Sequence, residues 1–175
     1  MSVSNELVIR PATTADLEIL VTVAARTFYD AFAGTNTPEN MRAYMAAAFT
    51  LEQLAVELND ARGTFLLAEL AGRVVGYAKL FRGEVPECVP DKQAIELARI
   101  YIDQDVLGAG VGAALLQHCL ELARAEGRRS IFLGVWENNP RAHAFYRRRG
   151  FERVGEHIFQ MGDDAQTDWL MLRAL

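Results

Sequence analysis

The sequence predicts a single α/β domain with a mixed central sheet of about seven strands flanked by helices. Three observations carry that prediction. The chain of 175 residues suits one domain with a full-sized core. Antiparallel strand pieces flank one crossover helix between Ile102 and Ser130, which excludes a uniform βαβ alternation. A strand, a polar turn and a glycine-rich loop open a helix at Ile100–Gly112.

The elements follow in order. Leu7–Arg10 reads as a short strand stopped by Pro11. Thr13 or Thr14 can cap the next helix, with Asp16 and Glu18 in its first turn and a stripe of Leu17, Leu20, Val21, Ala24, Ala25 and Phe28. Gly34–Pro38 breaks it, and a second helical region runs from about Glu39 to Ala61 with an interruption near Thr50. Thr64–Leu70 and Arg73–Phe81 form a hairpin about Ala71-Gly72. Gly83–Gln93, with Pro86 and Pro90, is a loop, and Ala94–Ile102 is a strand. The helix after the glycine loop ends at Gly127, Ser130–Trp136 is a buried type of strand, and Pro140 starts a helix that runs to about Arg149. Glu152–Phe159 and Asp168–Leu175 read as two last strands around a Met161–Thr167 connection.

Composition narrows the function. A net charge of −5 and a pI near 5.2 argue against a nucleic-acid surface and agree with a cationic small substrate. No apolar run is long enough to span a bilayer, so no membrane partner is expected. Cys88 and Cys119 have no metal spacing and make no disulfide framework, and Cys119 shares an apolar helical face with Leu115, Leu116 and Leu122. His118, His143 and His157 also lack metal spacing and read as surface or core residues, so no metal is expected. The start, Met1–Glu6, lacks a basic region followed by an apolar one, so a leader is not expected and the location expected is the reducing cytoplasm. Nothing in the sequence fixes the oligomeric state, and a homodimer stays open.

The loop Leu107-Gly108-Ala109-Gly110-Val111-Gly112, followed by Ala113, carries the chemistry. The first turn of a helix has unpartnered N–H groups and a partial positive charge, and glycines let a large anion come close to them. A diphosphate is therefore expected here. Gly108, Gly110 and Ala113 also match the dinucleotide pattern G-x-G-x-x-G/A. In that fold the first glycine closely follows the strand, whereas Asp103–Leu107 intervenes here, and too little chain remains after Glu137 for its other strands. Downstream, Asn139 begins a helix that carries Tyr146 and is followed by Gly150-Phe151.

Taken together, Leu107–Gly112, Asn139, Tyr146 and Gly150-Phe151 resemble the signature of the GNAT superfamily of acetyl-CoA-dependent N-acetyltransferases. The resemblance covers Thr64–Leu175 well and the N-terminal helices loosely. Thr27-Phe28-Tyr29, Gly134–Asn138 and Met161–Asp168 look like the spermidine/spermine acetyltransferases of the PaiA type. The likeness implies acetyl-CoA as co-substrate and a primary amine, most of all a polyamine, as acceptor. It also implies a GNAT-like sheet whose glycine-loop strand and the strand after the crossover helix splay apart, so that the cofactor's amide arm pairs with Ile100, Tyr101 and Ile102. Leu107 stands where the family usually has Gln or Arg. Losing a charged hydrogen bond there weakens cofactor binding by about 1.5–3 kcal/mol. Another small amine, a peptide N-terminus, or a coenzyme A-binding module without turnover are the rival readings.

Two proton transfers are needed. A primary amine resembles lysine, and freeing it at pH 7 costs about 4.6 kcal/mol. Glu96, in the strand before the loop, is the candidate base; the alternative is a solvated strand residue. The leaving thiolate needs a donor, and Tyr146 supplies a phenol that is uphill by only about 2 kcal/mol, which a positive environment offsets. The alternative places Tyr146 in the core beside Phe145. Asn139 can bind the cofactor's amide arm, cap its helix, or do both. Tyr29, Asp30, Asp163 and Asp164 are the expected acceptor-binding residues, because relatives flank the acceptor cleft with those regions.

Overall fold

The computed structural model describes residues 6–175. All but the last residue of the Met1–Glu6 stretch read for a leader lies outside the described residues. Seven strands form one sheet, β1 (Leu7–Pro11), β2 (Gly63–Leu70), β3 (Arg73–Phe81), β4 (Ile95–Ile102), β5 (Ser130–Trp136), β6 (Glu152–Met161) and β7 (Asp164–Ala174). Their order is β1-β2-β3-β4-β5-β7-β6. Every neighbour is antiparallel except β4 and β5, which the crossover helix α4 (Val111–Ala125) joins in parallel. A parallel pair requires such a crossover.

The sheet separates two layers. On one face α4 packs Leu115, Leu116 and Cys119 against Ile95, Leu97 and Ile131, with Tyr146 and Phe151 at the end of the same cluster. On the other face α1 (Leu17–Phe32), α2 (Pro38–Ala48) and α3 (Leu51–Asn59) bury Leu20, Phe28, Met41 and Leu54 against Phe65, Leu67 and Tyr77. The expected second helical region is thus two helices. Thr37 Oγ1 accepts from Asn40 N at 3.2 Å, Thr50 Oγ1 accepts from Gln53 N at 3.0 Å, and each starts its own helix.

Two irregularities shape the site. Lys79 pairs with Arg99 but Leu80 pairs with Leu97, so Ala98 is an extra residue, a bulge in β4. A bulge resets the alternation of the strand. Ile95 and Leu97 face α4 before it, Ile100 and Ile102 face α4 after it, and Arg99 and Tyr101 turn to the other layer. The second irregularity follows at once: β4 and β5 pair only at Ile95 with Ile131 and Glu96 with Phe132. From there to Ile102 and Trp136 the strands part, which is the expected splay.

The last hairpin differs from the sequence reading. Met161 pairs directly with Asp164, so Gly162-Asp163 is a two-residue turn with Gly162 at φ +60°. The polar run Asp163–Thr167 reads as a connection because strand pairing, not apolar alternation, holds it extended. Among the described residues no helix is long and apolar enough to cross a membrane.

Candidate active site

The parted strands open a cleft of about 710 Å³ that runs through the sheet. Its two mouths differ in chemistry.

On the α4 side lies the glycine loop. Gly108 and Gly110 both take φ +87°, and Gly110 is the N-cap of α4 without a capping side chain. A Cβ at either position would meet nothing within 4 Å, so the loop faces open space. Leu107 N–H donates to Gln104 O and Ala109 N–H to Val106 O, which removes these two expected donors. The 3₁₀ turn over Gln104–Val106 takes the first, and the turn that follows it takes the second. The first helix bond at this end runs from Ala114 N to Gly110 O. Among the described residues the N–H groups of Gly108, Gly110, Val111, Gly112 and Ala113 are left for a ligand. The Val111 side chain is buried in the core, so its part is confined to the backbone. Gly112 packs against β4 so closely that a Cβ would come within 2.6 Å of Ile102 Cδ1. Leu107 is 42 % exposed on the cleft wall.

Helix α5 (Pro140–Arg147) borders the same mouth. Asn139 Oδ1 accepts from Ala142 N at 3.1 Å, which is the capping role, and the residue also lines the cleft. Its amide nitrogen can therefore serve a ligand while its oxygen caps. Arg141, Arg148 and Arg149 line this mouth, and Arg149 stacks 3.8 Å from the Phe145 ring centroid. Arg147 instead lies over Trp169. Tyr146 lines the cleft with 8 % of its surface exposed, between Phe145 and Phe151. Burial pushes its phenol well above the ordinary value, and Arg149 opposes this only weakly. The positive environment expected around Tyr146 is thus outweighed by desolvation.

The opposite mouth is lined by α1 and by one face of β4, β5, β7 and β6. Asp30 is on the wall, and its carbonyl accepts from Gln104 Nε2 at 2.8 Å. Tyr29 is not on it. Successive helix residues are about 100° apart, and Tyr29 turns to a shallow depression with Pro38, Met41 and Met45. Asp163 and Asp164 are also off the wall. The hairpin tip is held on α2, where Asp163 N–H donates to Asn40 Oδ1 at 3.1 Å, and Asp164 Oδ2 accepts from Gln166 Nε2 at 3.0 Å. Phe159, Met161, Gln166 and Asp168 reach the wall from the same hairpin.

Glu96 is half-buried in the last residue pair before the strands part, and the cleft wall begins at Leu97. It lies one residue behind the wall, because β4 is a central strand rather than an edge. Burial raises its carboxyl, against the pull of His157, Lys79 and Arg99.

Arg99 and His157 have no site role in the sequence reading, and Asp168 enters it only within the acidic run Met161–Asp168. Arg99 lines the cleft, and its guanidinium grips Glu57 at 2.9 Å and 3.1 Å while Lys79 Nζ takes the same carboxylate at 2.6 Å. Asp168 Oδ2 lies 3.6 Å from His157 Nε2. Only strand pairing joins these residues, so no local motif could have marked them. His143 does turn out to be a core residue, stacked 4.1 Å from Trp169 with Nε2 2.9 Å from Trp136 O. No cluster of His, Cys, Asp and Glu among the described residues could hold a metal.

The comparisons with known proteins agree with this geometry. Residues 25–151 match the acetyltransferase (GNAT) family. An uncharacterized N-acetyltransferase of Lactobacillus delbrueckii subsp. lactis is 33% identical over 160 residues, 91% of this chain and 92% of that protein. One from Mycobacterium tuberculosis is 35% identical over 160 residues, 91% of this chain and 98% of that protein. Among solved structures, a PaiA N-acetyltransferase from Thermoplasma acidophilum in complex with coenzyme A superposes with a TM-score of 0.77 at 21% identity. That superposition covers 97% of this chain and 99% of the other. A ribosomal-protein-alanine N-acetyltransferase from Brucella melitensis gives a TM-score of 0.71 at 26% identity, over 96% of this chain and 99% of the other.

Proposed function

The chain belongs to the acetyltransferase (GNAT) family, and from that premise we propose that it acetylates the primary amine of a small cationic acceptor, a polyamine such as spermidine or spermine. One observation carries the reading. The cleft passes through the sheet, with anion donors at one mouth and the carboxylates of Asp30 and Asp168 at the other.

The residues present fit an extended, phosphate-bearing co-substrate. Five backbone donors at the start of α4 and the arginines of α5 suit a diphosphate, and the parted edges of β4 and β5 offer unpaired backbone groups to an amide chain. Acetyl-CoA supplies the acetyl group as an activated thioester. In this reading Ile100 to Ile102 and Asn139 align that chain. Tyr146 Oη holds the proton for the departing sulfur, and its burial, which raises the phenol, makes that donation more uphill than for a free phenol. Glu96 acts from behind the wall rather than as a base in contact with the amine. Asp30 and Asp168 hold the acceptor's ammonium groups.

Thiol release with a panel of amines tests the reading. Exposed charge pairs are screened by salt, so kcat/KM for spermidine should exceed that for a monoamine of similar reach, with the advantage shrinking as ionic strength rises. Asp30→Asn should raise KM for spermidine more than for the monoamine, and Asp163→Asn should be silent. Preference for a monoamine or for a peptide with a free N-terminal alanine would overturn the polyamine assignment and leave acetyl transfer standing. Binding of acetyl-CoA with no thiol release for any amine would favour a regulatory module.

A further inference from the structure

Asp168, His157 and Gly134 form an arrangement that gives Asp168 more to do than hold an ammonium group. Across three adjacent strands, Trp136 of β5 pairs with Asp168 of β7, and Asp168 pairs with His157 of β6. These three residues project to one face, the face opposite α4. Gly134 of β5 has the same orientation and lines the cleft beside the point where β4 and β5 part. A Cβ at Gly134 would lie 3.0 Å from His157 Nε2 and 3.4 Å from Asp168 Oδ2. The missing side chain at 134 is what leaves room for the imidazole beside the carboxylate that lines the cleft. Asp168 is on the wall with its side chain 15% exposed, and His157 stands behind it on the edge strand, 42% exposed to solvent.

We propose that Asp168 and His157 form the path by which the attacking ammonium loses its proton: it passes from the amine nitrogen to the Asp168 carboxylate and on to His157 Nε2. The half-exposed ring then returns it to water. The net change is one proton moved from amine to solvent, and the nitrogen keeps the lone pair that attacks the thioester. The inference rests on the acetyltransferase reading and on an amine acceptor.

The chemistry favours a histidine as the end of this path. An imidazole near its ordinary value of about 6.5 is about 2.6 units closer to an amine of about 10.4 than a carboxylate of about 3.9 is. The surroundings strengthen it. The Asp168 carboxylate, 3.6 Å away, raises the His157 imidazole, and Glu96 raises it further across the seam. The other charged and titratable groups on this face include Lys79 and Arg99, both committed to Glu57, Asp30 of α1 at the same mouth, Tyr77 and Tyr101 of the sheet, and Tyr44 of α2, which interacts with Asp168. Cys88 of the 83–94 loop packs on Gly155, two residues before His157. Glu96 is here a positioning residue, acting through His157.

The pH profile of kcat/KM and the titration of the His157 ring by NMR together test the path. Two conservative variants, His157→Gln and Asp168→Asn, are compared with the wild type. Each should lose at least tenfold in kcat/KM near pH 7 and recover toward wild type near pH 11, where most of an amine of about 10.4 arrives neutral, with acetyl-CoA affinity by calorimetry unchanged. The His157 ring should titrate above about 6.5 in the wild type and fall back in Asp168→Asn. Wild-type activity of His157→Gln at pH 7, or an equal loss at every pH, would overturn the proposal. So would an imidazole that does not respond to Asp168→Asn. The NMR arm needs no turnover, so a failed path and a failed acetyltransferase reading give different results.

Discussion

Tyr146 is packed as a core residue and yet lines the cleft, where the proposed function gives it a proton to donate. Phe145 and Phe151 hold its ring edge-on, and the same burial that fixes the ring keeps the phenol protonated. Tyr146→Phe removes only the hydroxyl, so kcat should drop by about 10–10⁴-fold, the range for a positioned general acid. Calorimetry should find acetyl-CoA affinity close to wild type, and an unchanged kcat would assign Tyr146 to packing alone. Tyr146 and Asn139 are readable from sequence because a short motif fixes their separation along the chain. Tyr29 and Asp30 show the limit of such reading. They are adjacent in sequence, yet the step of about 100° between them along α1 sends only Asp30 to the cleft. His157 and Asp168 look like any solvated charges until β6 and β7 are paired.

At the scale of elements, caps and glycines announce themselves while strand pairing does not. Gly110 at positive φ and the start of α4 follow from local chemistry, as do the hairpin about Ala71-Gly72 and the break at Thr50. The bulge at Ala98 leaves no local mark, because it is defined by what lies opposite it on β3. Neither does the attachment of α3 to the sheet. There, among the described residues, Glu57 is the one carboxylate that pairs with both Lys79 of β3 and Arg99 of β4, with all three side chains less than a fifth exposed. Glu57→Gln strands two buried cations, and breaking a buried pair in this way costs about 3–5 kcal/mol. The pH dependence has a definite sign. The folded Glu57 carboxyl is held below its ordinary value by Arg99 and Lys79 against the cost of burial. Its contribution is therefore complete above the unfolded value of about 4.3 and is lost as pH falls through the lower folded one. Denaturant melts at pH 7 and in acid should show the gap between wild type and Glu57→Gln closing below about pH 4.3. A gap that stays constant into acid would mean that the carboxylate's charge is not what holds α3.

Across the whole molecule, the one-domain α/β plan was legible from length and from the irregular order of strands and helices. The splay came instead from the family resemblance, because composition and periodicity carry no information on where two parallel strands separate. The structure adds how slender the remaining union is. A half-sheet of β1 to β4 meets a half-sheet of β5, β7 and β6 through two residue pairs. On the proposed reading, a chain of amides laid into the gap would stand in for the strand that is missing there, so part of the backbone ladder would be supplied from outside the polypeptide. Occupancy then becomes visible in deuterium uptake. Without acetyl-CoA, the inward-facing amides of 100–102 and 134–136 should exchange quickly, although each strand is fully paired on its other edge. With acetyl-CoA they should slow together on both sides of the gap. Slowing confined to the start of α4 would mean that only the phosphates are held, and that the two half-sheets keep time independently of what lies between them.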